Sequence, residues 1–559
     1  MIVERPGYRL ELLPDGRRAV LTSPAGDHWL TLSLLASFDR VDCVDETIAY
    51  ETTSDETTVT LTRTTSAWHA AGVTLECRHD ALEVRAWVEG SGALADVHLL
   101  GGRSVHARTG LFRTGTSFAK LFSANPGDPA KLARGAAEEA ILGVNGDGEL
   151  GRGHWFFTPP PLYLAFRRDD EEQWLGLGLA APVRELGFVQ AVHRPGDRAF
   201  HLTLEYQGHT AVDGHFDAPA IVLTPGLETP YDGIRRQRLE LAERGAAPAV
   251  EEQDAPDWWR GGIFCGWGAQ CHLSSVGHGP ASALATQENY DAFLGALERH
   301  GVVPPTVVID DKWQRTYGRN EPDEAKWPDL RGWIARHHER GLHVLLWWKA
   351  WDPEGLPPEL CVRRPDGSPV ALDPTAPGVA DLLHELMSEL LSPDGLDADG
   401  LKIDFTATAP SGSSLTSHGS LWGIALLHEL LRVVYDGAKS AKPDALVITQ
   451  TPHPAFADVT DMVRLNDMLR LDDPGPIRPE TVVPQMRHRA AITAAALPDR
   501  LIDTDDWAVP DLATWRDYLA VKSELGVPSL YYATNVNVGG EALEGEDYAA
   551  LRAVLRGVG

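Results

Sequence analysis

Polar and apolar residues alternate with a period of two over much of the first 230 residues. The segments 8–13, 29–34, 58–63, 73–78, 82–88, 162–167, 199–206 and 221–224 each put apolar side chains on one face and polar ones on the other. That is the pattern of half-buried antiparallel strands. Clusters such as PDG, SPAGD, NGDG and RPGD separate them and supply turns. Many short strands with turns between them predict a large β-sandwich over 1–230. Residues 119–153 break the alternation and read as a loop elaboration at one edge. A helix is expected at 231–244. The small, acidic, Pro-containing stretch GAAPAVEEQDAPD (245–257) places the domain boundary there, making 231–257 a helical linker.

The rhythm then changes. Short apolar runs start at 263, 306, 344, 400, 445, 462, 501 and 528. Helical patterns lie between and after them at 287–300, 330–340, 379–391, 421–438, 483–496, 513–525 and 548–555. Eight such runs over 258–559 predict a closed (β/α)8 TIM barrel. An open doubly wound sheet is the competing arrangement. No G-x-G-x-x-G follows the first run, so its nucleotide-binding form has no support. No C-terminal β-domain is expected.

Composition narrows the function. In 559 residues, 43% hydrophobic and 23% charged, 80 acidic against 50 basic side chains leave a net charge of −30. Such a surface repels phosphates and argues against nucleic acid and anionic membranes as partners. Five cysteines without C-x-x-C spacing point to neither a disulfide framework nor a zinc site. No apolar run approaches the roughly 20 residues of a membrane span, and no signal-peptide core is visible. A cytoplasmic protein is the expectation, with a homo-oligomer left open. Of 17 tryptophans, 12 lie after residue 250. Their broad faces suit sugar rings and buried cores alike.

Barrel active sites are built at the C-terminal ends of the strands. Standing there are Gly266, Trp267, Asp310, Asp311, Trp313, Trp347, Trp348, Lys349, Trp351, Lys402, Asp404, Thr451, His453, Arg464, Asn466 and Asp467, then Asp503, Asp505, Asp506, Trp507, Tyr531, Tyr532 and Asn535. The set is rich in carboxylates and tryptophan. It lacks H-x-H or H-E-x-x-H spacing, so neither a metal nor a cofactor is expected. His337 and His338 fall in a helix and read as packing or surface residues. Two carboxylates on different strands of one barrel mouth suit glycoside hydrolysis. Lys402 and Asp404, two apart on a strand, point to the same side, the barrel interior. A cation there keeps Asp404 ionised, although a structural Lys–Asp pair has the same spacing.

At most two of Asp503, Asp505 and Asp506 can face the pocket; Asp505 and Asp506 are taken as substrate-binding. His453 is either a hydroxyl binder or a loop anchor. Arg464 either pairs with Asp404 or Asp467 or binds an anionic substituent on the sugar. Cys265 reads as a small buried hydrophobe. Arg487, His488 and Arg489 read as a structural or interface charge cluster.

DGLKIDF (399–405) resembles the nucleophile strand of the retaining α-glycosidases of glycoside hydrolase families 27, 31 and 36. VVIDDKWQ (307–314) resembles the "DDGWQ" strand of family 36, the α-galactosidases and raffinose synthases. WPDLRGWIARHHERGLHVLLWW (327–348) resembles that family's next helix and strand. The resemblance covers about 260–510. It implies Asp404 as nucleophile and Asp467, ending RLND, as general acid/base, with Asp461, Asp472 and Asp473 close by. It further implies Lys402, Asp310 and Asp311 as sugar-binding residues and Trp347 or Trp348 as the subsite tryptophan.

Several positions depart from the family pattern. Lys312 replaces a glycine, Lys349-Ala350 replaces an acidic residue, and TQTPHPAFAD (449–458) replaces a cysteine- or glycine-containing motif. These changes surround the sugar pocket, so the resemblance implies the mechanism more firmly than it implies galactose. The expected activity is therefore a retaining, exo-acting α-glycosidase, most simply α-galactosidase-like, with a carbohydrate substrate. A glycosyl-transferring enzyme uses the same apparatus with a sugar acceptor. A non-catalytic sugar-binding protein is the alternative of another class.

Overall fold

The computed structural model describes the chain except for residues 105–106, 111–119, 126–133, 136–137, 145–156, 168–171, 252, 469–476, 537–539 and 557–559. It consists of an antiparallel β-sandwich followed by a parallel eight-stranded barrel. Two long strands, Leu82–Leu99 and Ala199–Asp217, pair along most of their length, with a register shift between Glu205 and Thr210. Hairpins such as Thr47–Ser54 with Thr58–Thr65 extend the sheets. In Thr58–Thr65 alternate side chains are buried, as the period-two pattern requires.

One strand gave no signal in the sequence, and one expectation needs correction. Trp174–Ala180 is a strand buried on both faces, so its sequence WLGLGLA shows no alternation to read. The stretch 119–153 is not a plain loop. It contains the strands Lys120–Ser123 and Ala140–Gly143, paired to Tyr163–Arg167 and Gln190–Gly196. Its remainder lies largely outside the described residues, as do Asp472 and Asp473.

The helix Pro230–Glu243 starts at a capping box. Asp232 N donates to Thr229 Oγ1, and Thr229 N donates back to the Asp232 carboxylate (3.0 Å). It bridges the domains. Ile234 joins Phe122, Tyr163 and Trp174 of the sandwich and Val463 and Ile492 of the barrel in one apolar cluster.

The barrel strands are β1 Ile263–Cys265, β2 Thr306–Ile309, β3 His343–Lys349, β4 Gly400–Asp404, β5 Leu446–Thr449, β6 Met462–Arg464, β7 Leu501–Asp503 and β8 Ser529–Leu530. All neighbouring pairs are parallel, and β1 pairs with both β2 and β8. A parallel bridge between Asp503 and Val527 closes the ring. The expected helix 513–525 is broken into Leu512–Leu519 and Lys522–Leu525. Trp267, placed at a strand end by its sequence, begins a helix, Trp267–Ser275.

A second contact joins the domains beside β4. The helix Gly423–Ala441 has Trp422 as a cap residue with no side-chain cap bond. Helix N-termini leave backbone N–H groups without partners. Here sandwich carbonyls accept them: Ile424 N donates to Phe188 O (3.1 Å) and Ala425 N to Leu186 O (3.0 Å). The approach requires glycine at 423. Its φ is +56°, and a Cβ there would lie 2.1 Å from the Phe188 oxygen. His209 stacks on Trp422 at 3.5 Å, and the Thr158 and Thr406 hydroxyls hydrogen-bond each other across the boundary.

Candidate active site

β3 and β4 pair with Trp347 opposite Lys402 and Lys349 opposite Asp404. Alternation turns these residues toward the barrel interior. Trp347 Nε1 donates to Asp404 Oδ2 (3.2 Å) and Phe405 N donates to Oδ1 (2.8 Å). Phe405 has a φ of 60°, Asn466 of 69° and Asp505 of 41°. Left-handed backbone at a non-glycine residue costs of order 1–3 kcal/mol and clusters at functional sites. These three stand just beyond the ends of β4, β6 and β7, beside the two carboxylates in question.

Arg464, on β6, is the hub. Its Nη1 lies 3.3 Å from Asp404 Oδ2, its Nη2 2.6 Å from Asp467 Oδ1, and its Nε 2.6 Å from Asp505 Oδ2. Nη2 also donates to Asn466 Oδ1 (2.8 Å). Nη1 makes no hydrogen bond among the described residues. The arginine side chain is 2% exposed, whereas Asp404 is 23% and Asp467 27% exposed. A buried cation thus lies beneath two carboxylates that solvent, and a substrate, can reach.

The two carboxylates titrate in opposite directions. Burial raises Asp404, but Arg464, Lys402, the Phe405 amide and the Trp347 indole outweigh it and hold it below the ordinary carboxylate range. Burial also raises Asp467. There the pull of Arg464 is opposed by the negative charges of Asp505 and Asp404, and Asp467 is pushed up to about 7. Pairs of acids with divergent pKa values are what general acid and nucleophile roles require.

The opposite wall is built on β2. Lys402 Nζ contacts Asp310 Oδ2 at 2.7 Å, and Cys265 Sγ donates to the same oxygen at 3.0 Å. Cys265 is therefore a hydrogen-bonding neighbour of Asp310 and more than a packing residue. Burial raises Cys265 well above its ordinary value, so it stays a thiol. Asp311 Oδ1 accepts from Tyr317 OH (2.7 Å), and burial lifts Asp311 to about 6.

Several residues expected to touch substrate are almost wholly buried. Trp313 is fully buried, and its indole N–H donates to Trp347 O (2.8 Å), locking β2 to β3. Trp348 has the opposite parity to Trp347 and is buried, with its Nε1 not hydrogen-bonded to protein. His453 is 1% exposed; its Nδ1 accepts from Ala455 N (3.1 Å), the loop-anchoring alternative, and burial lowers it to about 3. Asp505 and Asp506 are both fully buried. Asp505 holds Arg464 and accepts from Tyr531 OH (3.1 Å). Asp506 contacts Lys522 and the Trp515 indole, each at 3.2 Å, and burial raises it to about 6. Asp461 stands at the opposite end of β6, paired with Lys439 (2.7 Å). His337 stacks on Trp333 and His338 bonds Asp399 (2.8 Å), both in packing roles.

Three supports escaped the sequence. Arg489 donates through one nitrogen to the carbonyls of Leu465, Asn466 and Asp467 at 2.9, 2.9 and 2.8 Å. It fixes the backbone that carries Asp467. Tyr317 orients Asp311, and the Tyr290 hydroxyl accepts from Asp310 N (2.7 Å). A basic residue on the helix after an acid-bearing strand was the available signal for Arg489. Tyr317 lies in a loop with no pattern. Among the described residues, no group of three or more His, Cys, Asp or Glu could hold a metal ion, and no helix is long and apolar enough to cross a membrane.

No protein-family model matches the sequence, and no curated protein matches it. Solved structures do match in fold. An α-galactosidase from Thermus thermophilus in complex with stachyose is 17% identical, with a TM-score of 0.55, covering 91% of this chain and 99% of its own. A family 31 sulfoquinovosidase from E. rectale, with an aza-sugar inhibitor, is 10% identical with a TM-score of 0.56, covering 100% and 82%. A family 36 α-galactosidase from Geobacillus stearothermophilus, bound to raffinose, is 12% identical with a TM-score of 0.52, covering 100% and 86%. The sandwich-and-barrel architecture is thus that of α-glycosidases of families 36 and 31.

Proposed function

We propose that the protein is a retaining α-glycosidase acting on the terminal sugar of its substrate. The observation that carries this reading is one buried guanidinium shared by Asp404 and Asp467, whose neighbours push their pKa values in opposite directions. In the first step the Asp404 carboxylate attacks the anomeric carbon and forms an ester bond to it. The glycosidic C–O bond breaks, its electron pair stays on the leaving oxygen, and that oxygen takes the Asp467 proton. In the second step Asp467, now a carboxylate, takes a proton from water. The water oxygen attacks the anomeric carbon, and the ester electrons return to Asp404. Two inversions leave the α configuration unchanged. Asp311, held by Tyr317, accepts hydroxyl groups of the sugar.

α-Galactosides are the first configuration to assay, since two of the similar structures are α-galactosidases with stachyose or raffinose bound. The test is a panel of p-nitrophenyl α-glycosides followed by NMR of the first-formed sugar. Turnover with an α-configured initial product supports the reading. A β-configured first product makes the enzyme inverting. No turnover on any α-glycoside, with binding retained, returns the sugar-binding alternative. Adding acceptor sugars to the same assay separates hydrolysis from transfer.

A further inference from the structure

Two lysines stand on the β2–β3 side of the pocket, at positions where the sequence departs from the pattern it resembles. Lys349 ends β3, directly opposite Asp404 in register. Lys312 follows Asp311. Their ammonium groups lie 4.2 and 4.1 Å from the centre of the same ring, that of Tyr317. The hydroxyl of that ring is the one bonded to Asp311 (2.7 Å). Lys349 also sits 5.0 Å from the Phe405 ring, and its charge is felt at Asp311. A sugar held by Asp311 therefore lies next to a tyrosine ring that carries two ammonium groups.

These cations differ from Lys402 and Arg464, which are buried and committed to Asp310 or to the catalytic pair. Lys312 and Lys349 are 19% and 22% exposed. Each has one acidic partner, Glu354 at 2.6 Å and Asp352 at 2.7 Å. Glu354 is 43% exposed, so its pairing is solvent-screened and weak. An ammonium carries three donors, which leaves each lysine capacity for a ligand oxygen.

The charge of the whole molecule sharpens the point. A chain of net charge −30 repels anions at a distance. A neutral sugar needs no cation at the rim, while an anionic one needs local compensation. We propose that Lys312 and Lys349 form a subsite for an anionic group on the terminal sugar, so that the substrate class is an α-glycoside bearing a carboxylate, sulfate or sulfonate. C6 is the position where a hexose carries such a group without losing a ring hydroxyl. The proposal rests on the α-glycosidase reading and adds the substituent.

The experiment compares p-nitrophenyl α-galactoside and α-glucoside with their 6-uronate, 6-sulfate and 6-sulfonate counterparts, and with a neutral sugar on a carboxylated aryl leaving group. At least one C6-anionic glycone is expected to exceed its neutral parent in kcat/KM by about tenfold or more. Lys312→Ala and Lys349→Ala should each lower kcat/KM for that substrate roughly tenfold, mainly through KM, as expected for loss of a charged hydrogen bond. Neutral substrates should lose clearly less than the anionic one. Lys349→Arg should keep most of the preference, and added salt should weaken it.

Equal losses on neutral and anionic substrates mean that the lysines only brace Tyr317, and the proposal falls. It also falls if neutral sugars are preferred, or if lysine dependence follows the charge on the leaving group. Turnover of neutral glycosides alone leaves the glycosidase reading standing without it. Turnover of none removes both.

Discussion

Asp404 and Asp467 share one arginine, yet their surroundings are built to opposite ends. The β3–β4 side gives Asp404 an indole N–H, a backbone amide and the nearby charge of Lys402. The β6–β7 side gives Asp467 a guanidinium that also serves Asp505. One carboxylate is solvated by donors; the other is crowded by negative charge. Burial is common to both, so it is the balance of neighbours that sets the two directions. A single buried cation can hold one carboxylate below the ordinary range and still leave its second partner raised, provided a third carboxylate draws off part of its charge.

The largest test of this contrast is Asp404→Asn. An amide cannot form the ester, so kcat should fall roughly 10⁴-fold or more on every substrate. Wild-type-like turnover by this variant moves the nucleophile elsewhere. Asp467→Asn should be selective. Glycosides with alkyl or sugar leaving groups should lose about 10²- to 10⁴-fold, and activated aryl glycosides less in their first step. Azide needs no base, so it should restore turnover of aryl glycosides in Asp467→Asn and give an α-glycosyl azide. A β-azide rescue of Asp404→Asn does not bear on that variant's loss of the ester, but an α-azide there, with Asp467→Asn unresponsive, reverses the two roles.

The pH profile tests the electrostatics themselves. The acid must carry its proton, so kcat/KM should fall as pH rises through about 7. Asp505 raises Asp467 by its negative charge. Asp505→Asn should therefore move the alkaline limb to lower pH, while the acidic limb, set by the depressed Asp404, stays below the ordinary carboxylate range. An unmoved alkaline limb in a folded variant means that Asp505 only fills space. The smallest effect belongs to Trp313→Phe. It removes one buried hydrogen bond and part of a fully buried ring, which should cost about 1–3 kcal/mol of stability in denaturant unfolding. A changed KM instead puts the indole in the pocket.

The same contrast explains what could be read from the chain. The strand-4 motif was legible because a barrel strand alternates inward and outward, so Lys402 and Asp404 had to share a side. The eight apolar runs were legible because each strand is buried on both faces. The sandwich strand Trp174–Ala180 has the same property within a region of alternating strands, and it was invisible for that reason. Strand-end position placed Trp313, Asp505 and Asp506 near the mouth but not their direction. Trp313 turns to a carbonyl 34 residues away and Asp505 to an arginine 41 residues away. Partners at that separation leave no local pattern. Arg489 was read as part of a structural or interface charge cluster, but its targets could not be named, because they are backbone carbonyls, which every residue has.

The glycine-423 contact has a consequence for how this architecture can be inherited or engineered. The helix after β4 has its first amides completed by carbonyls of the other domain, a few residues beyond the loop that leaves Asp404. The sandwich is thus a structural continuation of the strand that carries Asp404. A chimera that joins this barrel to a foreign β-domain must reproduce the Leu186–Phe188 backbone to within hydrogen-bond reach. A barrel cut free would expose Trp422 and leave those amides to water. The recombination unit is therefore the pair of domains together, and the close backbone approach at the seam leaves position 423 to glycine.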